Sequence, residues 1–210
     1  MLPALGKGLQ RQEKNTVRSN DALQKKSAHR HGRGIQMENQ WLNACSRQDA
    51  AMRPILQPAL RLLIEKNKRL LTLYAGEDIL LRCPVALGRC PVGRKRQEGD
   101  GRTPEGVYTI CLVKEQGKYG RSLGLSYPNR QDADDALRDG RIDLSTHQVI
   151  LDRLAAGQRP PWGSPLGGEV YIHEGGTASD WTQGCIALES KDMDVLFPRR
   201  DEVCQVEILP

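Results

Sequence analysis

The chain has 210 residues, 38% of them hydrophobic, and a formal net charge of +5; this length suits one domain with an extension. No run approaches the ~20 apolar residues of a transmembrane helix, so no membrane span is expected. Residues 1–38 hold eight basic and three acidic residues and therefore carry the whole net charge. The remaining residues are balanced, which argues against nucleic acid as a partner of the main body.

Residues 1–38 are predicted to form a basic, disordered extension, because they have few apolar residues and no helical or strand period. The alternative is a segment that binds an anionic surface, such as nucleic acid, lipid head groups or acidic wall polymers. No signal peptide is visible, because residues 1–6 are too short and too interrupted to form its apolar core. Residues 39–60 are predicted to be a connecting helical segment interrupted by Pro54 and Pro58.

Residues 61–210 are predicted to form a mainly β domain with a few helices between the later strands. Short apolar runs at 63–64, 70–74 and 79–87 are separated by turn signals. This spacing is typical of a meander in a β-sandwich or barrel-like sheet. A further strand is predicted at 107–113.

The glycine-rich segment 88–106 lies between these strands. It lacks the Gly-Lys-Ser/Thr sequence and the following helix of a phosphate-binding loop, so no nucleotide site is expected. Asp100, Gly101 and residues 104–106 are typical of turns that require a positive φ.

Two helices are predicted in the next part of the chain. The first covers residues 132–139 and ends at Gly140, and the second runs from a capping box begun by Ser145 to Gly157. The stiff loop at 159–168 follows, and loops of this kind often border functional sites.

The C-terminal part is predicted to be a helix followed by a strand. Ser190 is the candidate N-cap, and Pro198 is expected to end the helix. The final strand, 203–209, is predicted to place Cys204, Val206 and Ile208 on one face. No chemistry is assigned to these elements.

A histidine and a cysteine are the candidate reactive groups. In the strand at 170–173, apolar and polar residues alternate, which places His173 on the face opposite the apolar side chains. Cys185 opens a second apolar run, and a thiol with a pKa of ~8.5 needs a nearby imidazole to react at neutral pH. Gly184 leaves room for an acyl group, and the backbone N–H groups of Gly184 and Cys185 are candidate oxyanion donors. The alternative is a small buried thiol beside a satisfied histidine.

Three segments of the chain, in this order, resemble the YkuD-type L,D-transpeptidase catalytic domain. They are residues 99–108, the strand after them, and the segment from His173 to Gly184-Cys185-Ile186. The resemblance covers about residues 60–210 and implies a mainly β, sandwich or barrel-like catalytic fold with a few helices. It also implies Cys185 as the nucleophile and His173 as its base. The implied partners are peptidoglycan stem peptides, in the periplasm or cell envelope, and the chain is expected to act as a monomer without metal or organic cofactor.

The implied reaction is acyl transfer. The thiolate attacks the carbonyl of a diaminopimelate or lysine residue in the stem peptide, D-alanine leaves, and an amine or water resolves the thioester. The candidate substrate-binding residues are Trp162, Tyr171, Trp181, Thr182, Gln183 and Arg102. Arg94 and Arg96 are further candidates for pairing with a stem-peptide carboxylate, because a guanidinium fork suits that group. For the two tryptophans, covering the edge of the core is the alternative.

Three positions depart from the family pattern. Glu174 stands where glycine is usual, Gln183 where histidine or arginine often precedes Gly-Cys, and Ala187 where arginine is frequent. These departures affect how the donor stem peptide is oriented and which acyl acceptor is used. No Asp or Asn is available to orient His173, so a backbone carbonyl or Glu174 is expected to do so.

Two other functions remain open on the same residues. One is a thiol hydrolase, such as an L,D-carboxypeptidase or an amidase-like enzyme, acting on the same wall peptides. The other is a catalytically silent wall-binding module.

The six cysteines do not form a zinc motif, since no CxxC occurs. The pair His29 and His31 also lacks carboxylate or thiol neighbours, so no metal site is expected. Cys83 and Cys90 flank a turn and either form a disulfide in an oxidising compartment or stay free.

Overall fold

The structure is a computed structural model that describes residues 59–210. Three predictions lie outside the described residues: the extension at 1–38, residues 39–58 of the connecting segment, and the pair His29 and His31. In the described part of the chain, no helix is long and apolar enough to cross a bilayer.

Two β-sheets and three α-helices form the described domain, so the prediction of a mainly β fold is confirmed. The strands are β1 (Leu60–Glu65), β2 (Leu70–Ala75), β3 (Asp78–Pro84), β4 (Gly106–Tyr108), β5 (Ile110–Gly117), β6 (Gly120–Leu125), β7 (Tyr171–Glu174), β8 (Ile186–Leu188) and β9 (Val203–Leu209). The helices are α1 (Arg130–Arg138), α2 (Leu144–Ala155) and α3 (Ser190–Leu196). Two short 3-10 helices cover Lys66–Lys68 and Phe197–Glu202.

The first sheet has the order β3-β2-β1-β9-β4, and the second has the order β5-β6-β7-β8. Two neighbouring pairs, β1 with β9 and β7 with β8, are parallel, and the others are antiparallel. Alternate residues of β1 are buried because the strand period of two turns them all to one side. They pack with Ile172 and Ile186 of the second sheet in one hydrophobic core. Each buried aliphatic side chain contributes about 1.5–3 kcal/mol to the stability of that core.

The predicted strand at 107–113 is interrupted. It consists of β4 and β5, which belong to different sheets and are separated at Thr109. The Thr109 N–H donates to Ser126 Oγ at 2.9 Å, and the Ser126 N–H donates to the Thr109 carbonyl at 2.9 Å. The chain therefore crosses from one sheet to the other at this residue.

The helix starts differ from the predictions because other residues cap them. In α1, the Asn129 side chain accepts the Asp132 N–H, and the Asp132 carboxylate accepts the Asn129 N–H, so the helix begins two residues earlier. In α2, Asp143 rather than Ser145 is the N-cap, and its carboxylate accepts the Thr146 N–H at 2.7 Å.

The C-terminal helix and strand differ from the predictions at three residues, Ser190, Pro198 and Cys204. Ser190 is the first residue of α3 and not its cap, and the chain continues through Pro198 as a 3-10 helix. The final strand has the predicted bounds, but Cys204 is exposed, whereas Val206 and Ile208 are buried. The pairing register with β1 shifts between Leu60 and Arg61, and this bulge turns Cys204 away from the face of the other two.

The five cysteines in the described part of the chain are free. Cys83 is buried, which raises the pKa of its thiol to about 12, and Cys90 is exposed. The disulfide considered for this pair is absent from the described domain.

A buried lysine in the 3-10 helix between β1 and β2 of the first sheet holds the glycine-rich segment. The Lys66 ammonium donates to the Gly93 carbonyl at 2.7 Å, to the Thr103 carbonyl at 3.1 Å and to Glu105 Oε1 at 2.6 Å. Gly184 has φ +131, and a Cβ there would lie 2.6 Å from the Arg102 carbonyl oxygen. The close approach of these two backbones therefore requires a glycine directly before Cys185.

Candidate active site

His173 lies on β7, and Cys185 directly precedes β8, the neighbouring parallel strand. His173 of β7 pairs with Ala187 of β8, so continuing the register by two residues puts the Cα atoms of His173 and Cys185 about 8 Å apart. The strand period of two places both side chains on the same face of the sheet. The fold thus makes neighbours of two residues that the sequence separates by a glycine-rich loop.

Cys185 is partly exposed and lies at a cavity of about 400 Å³. Its S–H donates to the Glu169 carbonyl at 3.5 Å, and the Tyr171 N–H donates to the sulfur at 3.4 Å. Burial raises the pKa of this thiol, whereas the Tyr171 hydrogen bond and the Lys95 ammonium lower it. The net shift is upward, so the resting sulfur is a thiol at neutral pH.

His173 is 3% exposed and packed between aromatic rings. The ring of Tyr119 stacks on it at a centroid distance of 4.9 Å, and Trp181 contacts it edge-on at 5.6 Å. Its Nδ1 is hydrogen-bonded to the Glu174 carbonyl. Because a carbonyl only accepts, Nδ1 carries the hydrogen and Nε2 is left as the basic nitrogen.

Burial lowers the pKa of His173, and the hydrogen bond to the Glu174 carbonyl opposes this shift only in part. The ring is therefore neutral at pH 7. Within residues 59–210, no hydrogen bond joins His173 to the Cys185 sulfur, and the ring is not part of the wall of the Cys185 cavity. The two side chains therefore share a face of the sheet but are not hydrogen-bonded to each other.

The family model of the YkuD L,D-transpeptidase catalytic domain matches residues 60–208. The chain belongs to the L,D-transpeptidase catalytic domain family. Among solved structures, it is similar to a mutant of the helical cell shape determining protein Pgp2 from Campylobacter jejuni, with 20% identity and a TM-score of 0.52 over 81% of this chain and 53% of that chain. The unmutated Pgp2 gives 19% identity and a TM-score of 0.50 over 81% of this chain and 54% of that chain. This likeness shows the fold alone, and the chain spans about half the length of those proteins. No curated protein sequence matches the chain significantly.

A buried threonine holds the turn that presents Cys185 in this L,D-transpeptidase domain. The Thr182 hydroxyl donates to the Cys185 carbonyl at 2.8 Å and accepts the Gly184 N–H at 3.1 Å. Thr182 is 3% exposed, so this predicted substrate residue faces inward. Because the Gly184 N–H is already bonded, the Cys185 N–H is the remaining member of the predicted oxyanion pair.

Asp180 fixes the loop before that turn and was missed by the sequence analysis. Its carboxylate accepts Arg69 Nε at 2.9 Å and Nη2 at 2.7 Å, as well as the Leu87 N–H at 2.9 Å. Arg69 lies 111 residues away in the sequence, so no local pattern could have indicated the pair.

The other predicted substrate residues divide between the cavity and its surroundings. Trp162 and Gln183 line the cavity. Tyr171 is buried and packs edge-on against Trp162, with ring centroids 5.5 Å apart. Trp181 covers His173 instead. The Arg102 side chain lies beside Gly93, so Arg102 approaches the site only through its backbone.

Arg94 and Arg96 pair with acidic residues of α1 and its C-cap, and neither lines the Cys185 cavity. Arg94 pairs with Asp132 at 2.9 Å and with Asp135 at 2.8 Å. Arg96 pairs with Asp139 at 2.7 Å. Both arginines line a separate, smaller cavity of about 170 Å³.

Glu174 does not orient His173 through its carboxylate. That carboxylate accepts Arg121 Nε at 2.8 Å and the Arg121 backbone N–H at 3.2 Å. Of the two expected ways to orient the imidazole, the structure therefore has the backbone carbonyl.

Lys95 is the second residue that the sequence analysis missed. It lies between two arginines of the glycine-rich segment, yet it is only 5% exposed and lines the Cys185 cavity. Nothing in the local sequence distinguishes it from its neighbours, because all three residues are long and cationic.

Proposed function

We propose that this protein is a cysteine-dependent acyltransferase that acts on peptidoglycan stem peptides, with Cys185 as the nucleophile and His173 as the general base. Membership in the L,D-transpeptidase family supports the reaction class. The observation that carries the proposal is the placement of a glycine-flanked thiol at an open cavity, on the same sheet face as a buried and neutral imidazole.

The first half-reaction transfers an acyl group to the sulfur. His173 Nε2 takes the thiol proton as the Cys185 sulfur attacks the carbonyl carbon of the third stem residue, a diaminopimelate or a lysine. The C–S bond forms, the peptide bond to the terminal D-alanine breaks, and the imidazolium returns its proton to the leaving amine. The neutral resting state of His173 suits this role, because a base must start without its proton.

In the second half-reaction, an amine of a neighbouring stem attacks the thioester carbonyl and regenerates the thiol. The Cys185 N–H is the proposed donor to the oxyanion in both steps. The Thr182 hydrogen bonds keep this turn rigid, so the Cys185 N–H does not need to reorganise during the reaction. Trp162 and Gln183 are the proposed contacts to the donor peptide.

The substrate lies outside the cytoplasmic membrane, so the proposal places the protein in the periplasm or cell envelope, with a role in wall biogenesis and cell shape. The residues of the site need no metal or organic cofactor for this chemistry, because a thiol, an imidazole and backbone donors perform each step.

Mass spectrometry of the purified protein incubated with tetrapeptide muropeptides tests the proposal. We expect loss of D-alanine and, with an amine acceptor present, a cross-linked product. We also expect a covalent adduct on Cys185 with a carbapenem. Cys185→Ser should abolish both, whereas Cys204→Ser, at an exposed thiol of β9, should change neither.

Each alternative function predicts a different result. A hydrolase would give only the shortened peptide, whatever the acceptor concentration. A folded protein that forms no adduct and no product would be a wall-binding module, and the proposal would be wrong.

A further inference from the structure

The Cys185 cavity contains an unusually placed cation. Of the described residues that line it, Lys95 is the only basic one, and its side chain is 4% exposed. A Cβ built on Gly184, the residue before the nucleophile, would lie 3.9 Å from Lys95 Nζ. The ammonium therefore lies next to the turn that presents the sulfur.

The ammonium is fixed by two hydrogen bonds. Lys95 Nζ donates to the Gln97 carbonyl at 2.9 Å and to Asp100 Oδ1 at 2.9 Å. An ammonium has three N–H donors, so one has no hydrogen-bond acceptor among the described residues. A buried lysine held in this way has little side-chain entropy left to lose when a negative charge forms beside it.

Asp100 is the charged partner of this lysine, and it has other donors besides the ammonium. Its carboxylate also accepts the backbone N–H groups of Arg96 at 2.7 Å, Gln97 at 3.1 Å and Arg102 at 3.1 Å. These donors lower the pKa of Asp100, although burial opposes them. The Lys95 ammonium accordingly acts on the sulfur, where it lowers the pKa of the Cys185 thiol against the larger, opposite effect of burial.

The other ionisable groups around the sulfur do not provide this positive charge. Glu98 and Glu169 are acidic residues that line the cavity, and Glu169 raises the pKa of the Cys185 thiol. His173 is held neutral by burial, so it becomes a cation only after it has taken the proton. The Arg102 guanidinium is directed toward Gly93.

We infer that Lys95 is a positioning residue of the nucleophile: its fixed ammonium stabilises the negative charge that develops on the Cys185 sulfur. The inference rests on the proposed role of Cys185 as nucleophile, but not on the identity of the substrate. His173 removes the proton, and Lys95 stabilises the charge that remains. The two roles are separate because desolvation lowers the pKa of the imidazole and raises that of the thiol, and both shifts disfavour an ion pair.

The test is the pH profile of Cys185 alkylation by iodoacetamide, followed on the Cys185 peptide by mass spectrometry. Lys95→Met removes the charge and keeps most of the side-chain length. We expect the midpoint of the profile to rise by about one pH unit and the rate at pH 7 to fall about tenfold, since the thiolate fraction sets the rate. Lys95→Arg should keep the midpoint, and so should Lys68→Met, which changes an exposed lysine.

Asp100→Asn separates this electrostatic role from a structural one. It removes the partner charge and leaves the ammonium less neutralised, so the midpoint should fall below that of the unsubstituted protein. A pair that only holds the loop would make both variants shift the profile in the same direction, and that result would overturn the inference. An unchanged midpoint in folded Lys95→Met would also overturn it. If Lys95→Met does not fold, the direction of the Asp100→Asn shift decides.

This measurement is independent of the proposed reaction. If the variants show an altered alkylation profile but the unsubstituted protein forms no carbapenem adduct, the role of Lys95 stands and the transferase function is rejected. If the adduct forms normally but the variants show an unaltered alkylation profile, the transferase function stands and the role of Lys95 is rejected.

Discussion

The two halves of the site have opposite surroundings. The sulfur lies at a cavity whose wall includes Lys95, Glu98 and Glu169, whereas the imidazole lies between the rings of Tyr119 and Trp181. The charged side can respond to a developing negative charge, and the aromatic side keeps water from the base. In the proposed mechanism, charge stabilisation and proton transfer therefore belong to different walls of the site.

The largest expected effect is on the proton-transfer half. His173→Ala should reduce kcat/KM by about 10²–10⁴-fold, the usual contribution of a positioned general base. Turnover of tetrapeptide muropeptides measures this loss, and circular dichroism checks that the variant folds. A folded variant with nearly full activity would show that the aromatic half is only structural.

A smaller loss is expected from the turn that supports the sulfur. Thr182→Val preserves shape but removes the hydroxyl that bridges the Cys185 carbonyl and the Gly184 N–H. Two groups near the turn then lack a partner, which costs about 1–3 kcal/mol each when they are buried. Urea unfolding should show this loss, and kcat/KM should fall more than ten-fold. Thr182→Ser, which keeps the hydroxyl, should restore most of both.

Removing an aromatic ring that packs on His173 should shift the acid limb of the pH profile of kcat/KM without abolishing activity. Tyr119→Ala opens one face of His173, whose pKa is lowered mainly by burial. The pKa should return toward the ordinary ~6.5, so the acid limb of the kcat/KM profile should move to higher pH. Tyr119→Phe keeps the stacked ring and should leave the limb in place. If the alanine variant moves the limb downward, the burial argument is wrong.

The smallest effect is expected at Glu174. Because its carboxylate pairs with Arg121 while its carbonyl holds the imidazole, Glu174→Gln should change kcat/KM by less than about twofold. The partly exposed ion pair should contribute less than about 1 kcal/mol to stability. A shift of the acid limb in this variant would mean that the carboxylate, and not the backbone, tunes His173.

The family, the fold class and the identity of the two candidate reactive residues could be predicted from the sequence. Their signals are local: alternation around His173, a glycine before Cys185, and turn residues in 99–106. The helix caps were harder to predict from the sequence, because residues near Asn129 and Asp143 have side chains that cap helices equally well. The bulge that exposes Cys204 also leaves no local signal, since it depends on the pairing with β1.

By itself, the sequence determined the candidate thiol and imidazole and the strands near them, because a strand period and a missing Cβ act over a few neighbouring residues. Only the tertiary structure decided what surrounds those residues. Arg94, Lys95 and Arg96 are adjacent and equally charged, yet only the lysine enters the Cys185 cavity. Burial and long-range pairing determine the electrostatics of a site, and both arise when distant segments of the chain are packed together.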